Sequence, residues 1–522
     1  MTADYSVYLV TDSTPAILGD KDLVGVVEAS LRGGATVVQY RDKTSAREDL
    51  VATARKLHRL TRSYGVPLLI NDRVDVAVEV GCEGVHIGQD DMETADAQDD
   101  GRHTALEQAR ELLGPGKTIG ATASSEEEAI RACEAGADYL GLGTVYSTTT
   151  KKDTKSIIGP SGVCSILTAL HEAGHASIPT VCIGGINASN APSVLAASAS
   201  PHKALDGVAV VSAIIAAENP AAVTRDLLGK VITAKIPAVI AATSTKSPLS
   251  HNMTNSVVQN LAANVALCVG ASPIMSNYAE EAADLAQLGA ALVINTGTVT
   301  PQGLGNHIQA LEAYNKAGRP VILDPVGAGA TAVRRHAVQT LLSSGTFTVI
   351  KGNQAEIQTV HGASVTQRGV DSSSSSSLTV PQRALLVRSV ARQRQCVVLL
   401  TGPTDLVSDG RRTVRIDNGH EYLGMVTGTG CTLGTTLSAM AAAYEEDAFV
   451  AAVAGTVLFG VAAELAAQRH DIKGPGSFVP AFLDELFAIR SATGKGDVEW
   501  LARAKVAAVE VVDEESSPQN SR

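Results

Sequence analysis

The sequence predicts two α/β domains in one chain, a (β/α)8 barrel followed by an open, largely parallel sheet. Three observations carry this expectation. The 522 residues exceed the roughly 100–200 of a single ordinary domain. The first 230 alternate eight short β-branched runs with Ala-rich amphipathic stretches, close to the ~250 residues a barrel takes. Beyond Ser250 the apolar runs become continuous, as in parallel strands covered by helices on both faces.

Taken in order, the barrel strands are read in SVYLVTD, TVVQYRDK, PLLINDR, GVHIGQ, TIGAT, YLGLGTVY, TVCIGGI and GVAVVSAI. A barrel carries its chemistry at the C-terminal ends of its strands, and Asp12, Arg41, Lys43, Asn71, Asp72, His86, Thr122, Lys151 and Gly185 fall there. The acidic stretch 93–103 reads as a surface insertion. Residues 1–230 therefore form the barrel, and 231–250 form a connection that loses clear periodicity and gathers Ser, Thr and Pro. Residues 251–512 form the second domain, with strands in ALVINTG, PVILDPV, FTVIKGN and CVVLLTG. The serine run 372–377 reads as a flexible insertion, and the tail 513–522 as disordered.

Composition excludes several classes. Hydrophobic residues make up 45% and charged residues 18%, below the roughly 25% charge of an average globular chain, so the chain folds. The 42 basic and 54 acidic residues leave a net charge of −12, with no basic stripe interleaved with aromatics. Nucleic acid and anionic membrane are thereby poor partners. The seven cysteines, at 82, 133, 164, 182, 268, 396 and 431, are odd in number and form no CxxC pair. That argues against a disulfide framework or a cysteine zinc site and for a reducing compartment. The N-terminal MTADYSVYLV has neither a basic secretory n-region nor the Arg-rich pattern of a transit peptide, so a cytoplasmic protein is expected. The uncharged stretches 422–444 and 448–463 read as buried helices, being too rich in Gly and Thr or too short to cross a bilayer.

Two tempting motifs are set aside. His171, Glu172 and His175 match HExxH, but Gly174 and the strand that follows mark a helix end rather than a zinc-binding helix. Gly116-Lys117-Thr118 resembles the end of a P-loop but leads into a strand. The barrel offers a better constellation. Asp72 and Asp91 end neighbouring strands and suit one Mg2+, which takes a few protein oxygens plus phosphate and water. Arg41, Lys43 and Lys151 supply positive charge for a diphosphate. Gly184-Gly185 and the segment 207–213 occupy the seventh and eighth loops, where barrels hold a monophosphate on backbone N–H groups. One diphosphate site and one monophosphate site together suggest the joining of two phosphorylated substrates.

In the second half, Gly428-Thr429-Gly430-Cys431 precedes an Ala-rich helix, the arrangement of an anion hole for a phosphoryl group. Asp324 and Glu356 add oxygen ligands for Mg2+, Lys351 adds a cation, and Thr401, Gly402 and Asp405 continue the nucleotide side.

These motifs carry two resemblances. YLVTD (8–12), QYRDK (39–43), INDR (70–73), GVHIGQDD (84–91), TTTK (148–151) and IGGI (183–186) resemble thiamine phosphate synthase. The resemblance implies Gln39 and His86 on an aminopyrimidine, and Arg41, Lys43, Asn71, Thr122 and Lys151 on its diphosphate. It further implies Mg2+ at Asp72 and Asp91, and a thiazole phosphate lined by Thr148, Thr150, Gly185, Val211 and Ser212. Thr122 stands where a Ser is common, which keeps the hydroxyl, and Ser147 where Pro is common. The second half, through Asn255, GASPIM (270–275), NTG (295–297), DPVGAG (324–329), KGN (351–353), GTGC (428–431) and GPGSF (474–478), resembles hydroxyethylthiazole kinase of the ribokinase-like group. That implies thiazole contacts at Asn255 and Met275, ATP at Lys351, Thr401, Gly428 and Gly430, and Mg2+ at Asp324 and Glu356. Cys431, where sugar kinases carry an Asp base, is expected beside the substrate hydroxyl, with a pKa that a helix N-terminus can lower. Cys431 as base or as positioning group stays open. The implied partners are small-molecule substrates within a homo-oligomer, a trimer or hexamer. A sugar-phosphate barrel fused to a sugar kinase and a non-catalytic vitamin sensor are the rival readings. Cys431 and the 39–43 motif speak against the first, and the full set of carboxylates and lysines against the second.

Overall fold

The computed structural model describes residues 3–88, 104–148, 150, 156–200, 202–362 and 378–511. The stretches 93–103, 372–377 and 513–522 lie outside the described residues. The chain divides into two compact units, Met1–Ala234 and Lys235–Arg522.

The first unit is a closed, all-parallel barrel of eight strands paired in sequence order. They are β1 (Val7–Val10), β2 (Val37–Tyr40), β3 (Leu68–Asn71), β4 (Gly84–Ile87), β5 (Thr118–Ala123), β6 (Tyr139–Leu142), β7 (Thr180–Ile183) and β8 (Gly207–Val210). Strand β1 closes the barrel on β8 with Val7 opposite Val208. The intervening helices start at local signals. Asp22 caps helix Leu23–Arg32 by accepting from the Gly25 N–H, and Thr104 with Glu107 forms a capping box for Ala105–Leu113. Inside the barrel Tyr5, Tyr8 and Tyr139 pack with Val10, Val37, Leu69, Val181 and Ala209. Gly120 makes this possible, since a Cβ there would lie 2.1 Å from the Tyr139 ring. Helix Gly159–Glu172 ends inside the His171 to His175 motif, with Gly174 at φ +84°, so those letters span a helix end.

The second unit holds a nine-stranded sheet. Its strands are β9 (Leu249–Met253), β10 (Ser272–Ile274), β11 (Ala291–Asn295), β12 (Val321–Asp324), β13 (Val349–Asn353), β14 (Val397–Thr401), β15 (Asp405–Ser408), β16 (Thr413–Ile416) and β17 (Val506–Ala508). The order is β10-β9-β11-β12-β13-β14-β15-β16-β17. The pairs from β10 to β14 are parallel, and β15, β16 and β17 extend the edge antiparallel. The parallel part is the expected one; the antiparallel edge comes from β15, β16 and β17, short runs set among charged and polar neighbours.

One expectation needs correction. Residues 231–246, read as an irregular connection, continue a helix spanning Pro220–Lys246, with Pro237 in its interior. Val231, Ile232, Ile236, Val239 and Ile240 are buried on one face of it, but Pro237 and the interspersed Ala, Ser and Thr residues read as a break in the sequence. Helix Ala448–Gln468 is long and apolar enough to cross a bilayer, but 89% of its apolar window is buried within the unit, as expected of a core helix.

Candidate functional site

The barrel places one cavity at the C-terminal ends of its strands. Gln39, Arg41, Lys43, Asn71, Asp72, His86 and Thr122 line it together with Thr148, Thr150, Gly185, Val211 and Ser212. The two residue sets expected for a diphosphate and for a monophosphate thus share one space. Lys151 and Asp91 lie outside the described residues. Asp72 adopts φ +59°, a left-handed conformation that Asp tolerates, at the end of β3. Its Oδ1 accepts from the Gly88 N–H at 3.0 Å, and its Oδ2 lies 3.1 Å from Lys43 Nζ. Arg41 Nη1 stands 3.4 Å from the buried Asp12 carboxylate. Gly184 and Gly185 both take positive φ, and a Cβ on Gly184 would lie 2.4 Å from Thr144. The loop therefore approaches the cavity as bare backbone.

Sequence reasoning missed the layer beneath. Tyr139 OH lies 2.8 Å from His86 Nδ1 and 2.6 Å from Tyr8 OH, and Tyr8 OH donates to Gln39 Oε1 at 3.1 Å. His86 Nε2 stands 2.9 Å from Thr122 Oγ1. Burial pulls the His86 pKa down to about 4, so the ring is neutral at physiological pH. Ser124 and Ser156 also line the cavity, and only their position after strand ends could have marked them.

In the second unit the expected residues gather at the C-terminal ends of the parallel strands. Lys351 on β13 sits 2.9 Å from Asp324 Oδ1 at the end of β12 and donates to the Gly430 carbonyl at 2.7 Å. Asn295 Nδ2 donates to Asp324 Oδ2 at 2.7 Å, and Asn255 Nδ2 reaches both Asn295 Oδ1 (3.1 Å) and Cys431 Sγ (3.6 Å). Thr401 ends β14 opposite Asn353 of β13. Gly428, at φ +92°, turns the chain into helix Thr429–Ala443, which puts Gly430 and Cys431 in its first turn. Met275 follows β10, the strand next to β9, beyond whose end Asn255 lies. Arg334 was missed because it reads as a solvated helix charge. Its guanidinium donates to the Thr296, Gly297 and Val326 carbonyls at 2.7–2.9 Å and fixes the loops after β11 and β12.

The electrostatics correct one expectation. Burial and the charge of Asp324 push the Cys431 thiol up to about 11, opposite to the lowering a helix N-terminus can give. Burial also pulls on the Lys351 ammonium, but Asp324 beside it outweighs this and holds it above the usual lysine range. Burial, and then the Asp324 charge, push the Glu356 carboxyl up to about 7. Lys351 pairs with Asp324, while the two Glu356 oxygens accept from the Gly327 and Asn353 N–H groups at 2.8 Å; these buried carboxylates offer oxygen donors of the kind Mg2+ takes. In the barrel Asp72 presents an oxygen-rich end to the cavity beside Lys43, which suits a metal-bound diphosphate. Among the described residues no group of three or more His, Cys, Asp or Glu forms an all-protein metal cage.

Comparison with known proteins gives two family matches. The model described as thiamine monophosphate synthase matches residues 7–214, and that of the hydroxyethylthiazole kinase family matches residues 240–492. Two relatives match along nearly the whole chain. The probable thiamine biosynthetic bifunctional enzyme of Schizosaccharomyces pombe is 37% identical over 96% of this chain and 98% of its own. The thiamine biosynthetic bifunctional enzyme of Saccharomyces cerevisiae is 35% identical over 93% of this chain and 95% of its own. A hydroxyethylthiazole kinase of Moorella thermoacetica is 44% identical over 46% of this chain and 87% of its own.

Proposed function

The chain belongs to the family of bifunctional thiamine biosynthetic enzymes, and from that premise we propose how its two sites divide the work. The C-terminal half phosphorylates 4-methyl-5-(2-hydroxyethyl)thiazole with ATP. The N-terminal half couples the thiazole phosphate to 4-amino-2-methyl-5-pyrimidinylmethyl diphosphate, giving thiamine phosphate and pyrophosphate.

In the barrel, Gln39 and His86 face the aminopyrimidine, and Arg41, Lys43, Asn71 and Lys151 hold its diphosphate, with Thr122 beside them in the cavity wall. Thr148, Thr150, Gly185, Val211 and Ser212 take the thiazole phosphate. The observation that carries this reading is the single cavity lined by members of both sets. Arg41 and Lys43 stabilise charge that develops on the departing pyrophosphate. The thiazole nitrogen needs no base. Mg2+, held by Asp72 and Asp91 here and by Asp324 and Glu356 in the kinase half, neutralises phosphate charge when bound.

In the kinase half, Asn255 and Met275 contact the thiazole, while Lys351, Thr401, Gly428 and Gly430 receive ATP. The free N–H groups of the first turn of helix Thr429–Ala443 face the transferred phosphoryl group. Cys431, a neutral thiol hydrogen-bonded by Asn255, positions the substrate hydroxyl. Exposed Val257 and Tyr278, close in sequence to Asn255 and Met275, suit a neighbouring subunit, in keeping with a trimer or hexamer. We assign the enzyme to the cytoplasm, with the synthase in residues 1–230 and the kinase in 251–512; the matched ranges 7–214 and 240–492 support this division.

Two variants test the reading. Asp72→Ala is expected to lower coupling by roughly 10²-fold or more while leaving kinase activity intact. Cys431→Ala is expected to impair the kinase alone. Equal loss of both activities in either variant contradicts two separate sites.

A further inference from the structure

A chain of side-chain hydrogen bonds crosses the barrel from Asp72 to Thr122, and its direction is fixed at one end. Asp72 receives the Gly88 N–H and lies against the Lys43 ammonium, both donors, so its carboxylate acts as an acceptor. Asn71 must therefore turn Nδ2 toward Asp72, which leaves its Oδ1 to accept from Gln39 Nε2 at 2.6 Å. With its amide so oriented, Gln39 presents Oε1 to Tyr8, whose hydroxyl hydrogen is used there. The 2.6 Å contact between the two phenols then requires Tyr139 to donate to Tyr8. Tyr139 in turn must accept from His86 Nδ1. A neutral imidazole has one N–H, so His86 Nε2 is left to accept from Thr122.

We propose that Tyr8 and Tyr139 are positioning residues of the coupling reaction, a buried relay that carries the polarity set at Asp72, Asn71 and Gln39 on to His86 and holds Gln39 and His86 in the face shown to the aminopyrimidine. The proposal rests on the placement of that ring against Gln39 and His86. Gln39 uses one Nε2 hydrogen on Asn71 and keeps the second for a ligand. The cavity thus offers the pyrimidine an N–H donor, which suits a heteroaromatic ring nitrogen with a lone pair and rejects a ring presenting N–H at that position. His86 is locked as the Nδ1–H tautomer. Burial supports this by keeping the ring neutral. Both phenols are essentially inaccessible to solvent, Tyr8 at 1% and Tyr139 at 0%, so water does not readily replace a lost hydroxyl.

The test combines kinetics and spectroscopy on the full chain. Tyr139→Phe and Tyr8→Phe each keep the ring and remove one link. Each is expected to raise KM for the pyrimidine diphosphate roughly fivefold or more, the worth of about one hydrogen bond. KM for the thiazole phosphate and the kinase activity of the same chain stay at wild-type values. In the wild-type protein labelled at histidine, solid-state NMR is expected to show His86 protonated at Nδ1 and bare at Nε2, with assignment from His86→Gln. A proton on Nε2 overturns the relay. So does a raised pyrimidine KM in Gln39→Ala accompanied by wild-type values in both tyrosine variants. An unchanged pyrimidine KM in Gln39→Ala instead overturns the placement of the ring on which the proposal rests.

Discussion

Cys431 shows how far a single residue is legible. Its place in GTGC before a helix, through the resemblance to hydroxyethylthiazole kinase, made it the candidate for a place beside the substrate hydroxyl, and the fold puts it in the first turn of that helix. Its ionisation was not legible, because burial and the facing Asp324 are tertiary facts, contributed by a strand more than a hundred residues earlier. With the thiol pushed up to about 11, the ionised form is scarce at neutral pH. The kinase rate is accordingly expected to show no thiolate inflection between roughly pH 6 and 9. Cys431→Ala is expected to cost roughly tenfold in kcat, the scale of a neutral hydrogen bond, and Cys431→Ser to restore most of it. A loss of 10²-fold or more in the serine variant, on the scale of general-base catalysis, contradicts a positioning role. The barrel residues follow the same logic. Arg41, Lys43, Asn71 and Asp72 were visible as polar residues ending apolar strands. Tyr8 and Tyr139 lie 131 positions apart, and nothing local in the sequence announces that they touch.

At the scale of elements, uninterrupted apolar or clearly capped helices were legible, and a helix interrupted by an interior proline was not. Residues 231–246 show the failure: the helix Pro220–Lys246 contains Pro237 among Ser, Thr and Ala residues, so it reads as a break. Helix Ala448–Gln468 was legible because its apolar run is too long for a strand, and its start is fixed by Asp447. That carboxylate accepts from the Phe449 and Val450 N–H groups and pairs with both Nη atoms of Arg412 at 2.7 and 2.9 Å. The Arg412 side chain is 11% exposed and also gives its Nε–H to Asp409 Oδ2 at 2.7 Å, so Asp447 supplies one of its two carboxylate partners. Asp447→Ala is expected to destabilise the second unit by about 2 kcal/mol, cap and charged hydrogen bonds together, measured by denaturant unfolding. Asp447→Asn keeps the cap and is expected to cost less. A neutral outcome for the alanine variant contradicts this assignment.

At the scale of the molecule, the barrel and the second sheet each gather candidate site residues at their own strand ends. The division into two domains was legible from the change in strand character near Ser250: alternating β-branched runs with polar ends before it, continuous apolar runs after it. The antiparallel edge of the second sheet was not, since β15, β16 and β17 are short and mostly bracketed by charged residues. The central claim is that one chain makes the thiazole phosphate and then consumes it. Mass spectrometry on the full chain given hydroxyethylthiazole, Mg-ATP and the pyrimidine diphosphate, with each omitted in turn, tests this most directly. Thiamine phosphate that forms only when all three are present is the predicted result. Thiazole phosphate accumulating without thiamine phosphate contradicts the assignment of the barrel, and binding of all three without any product contradicts both sites.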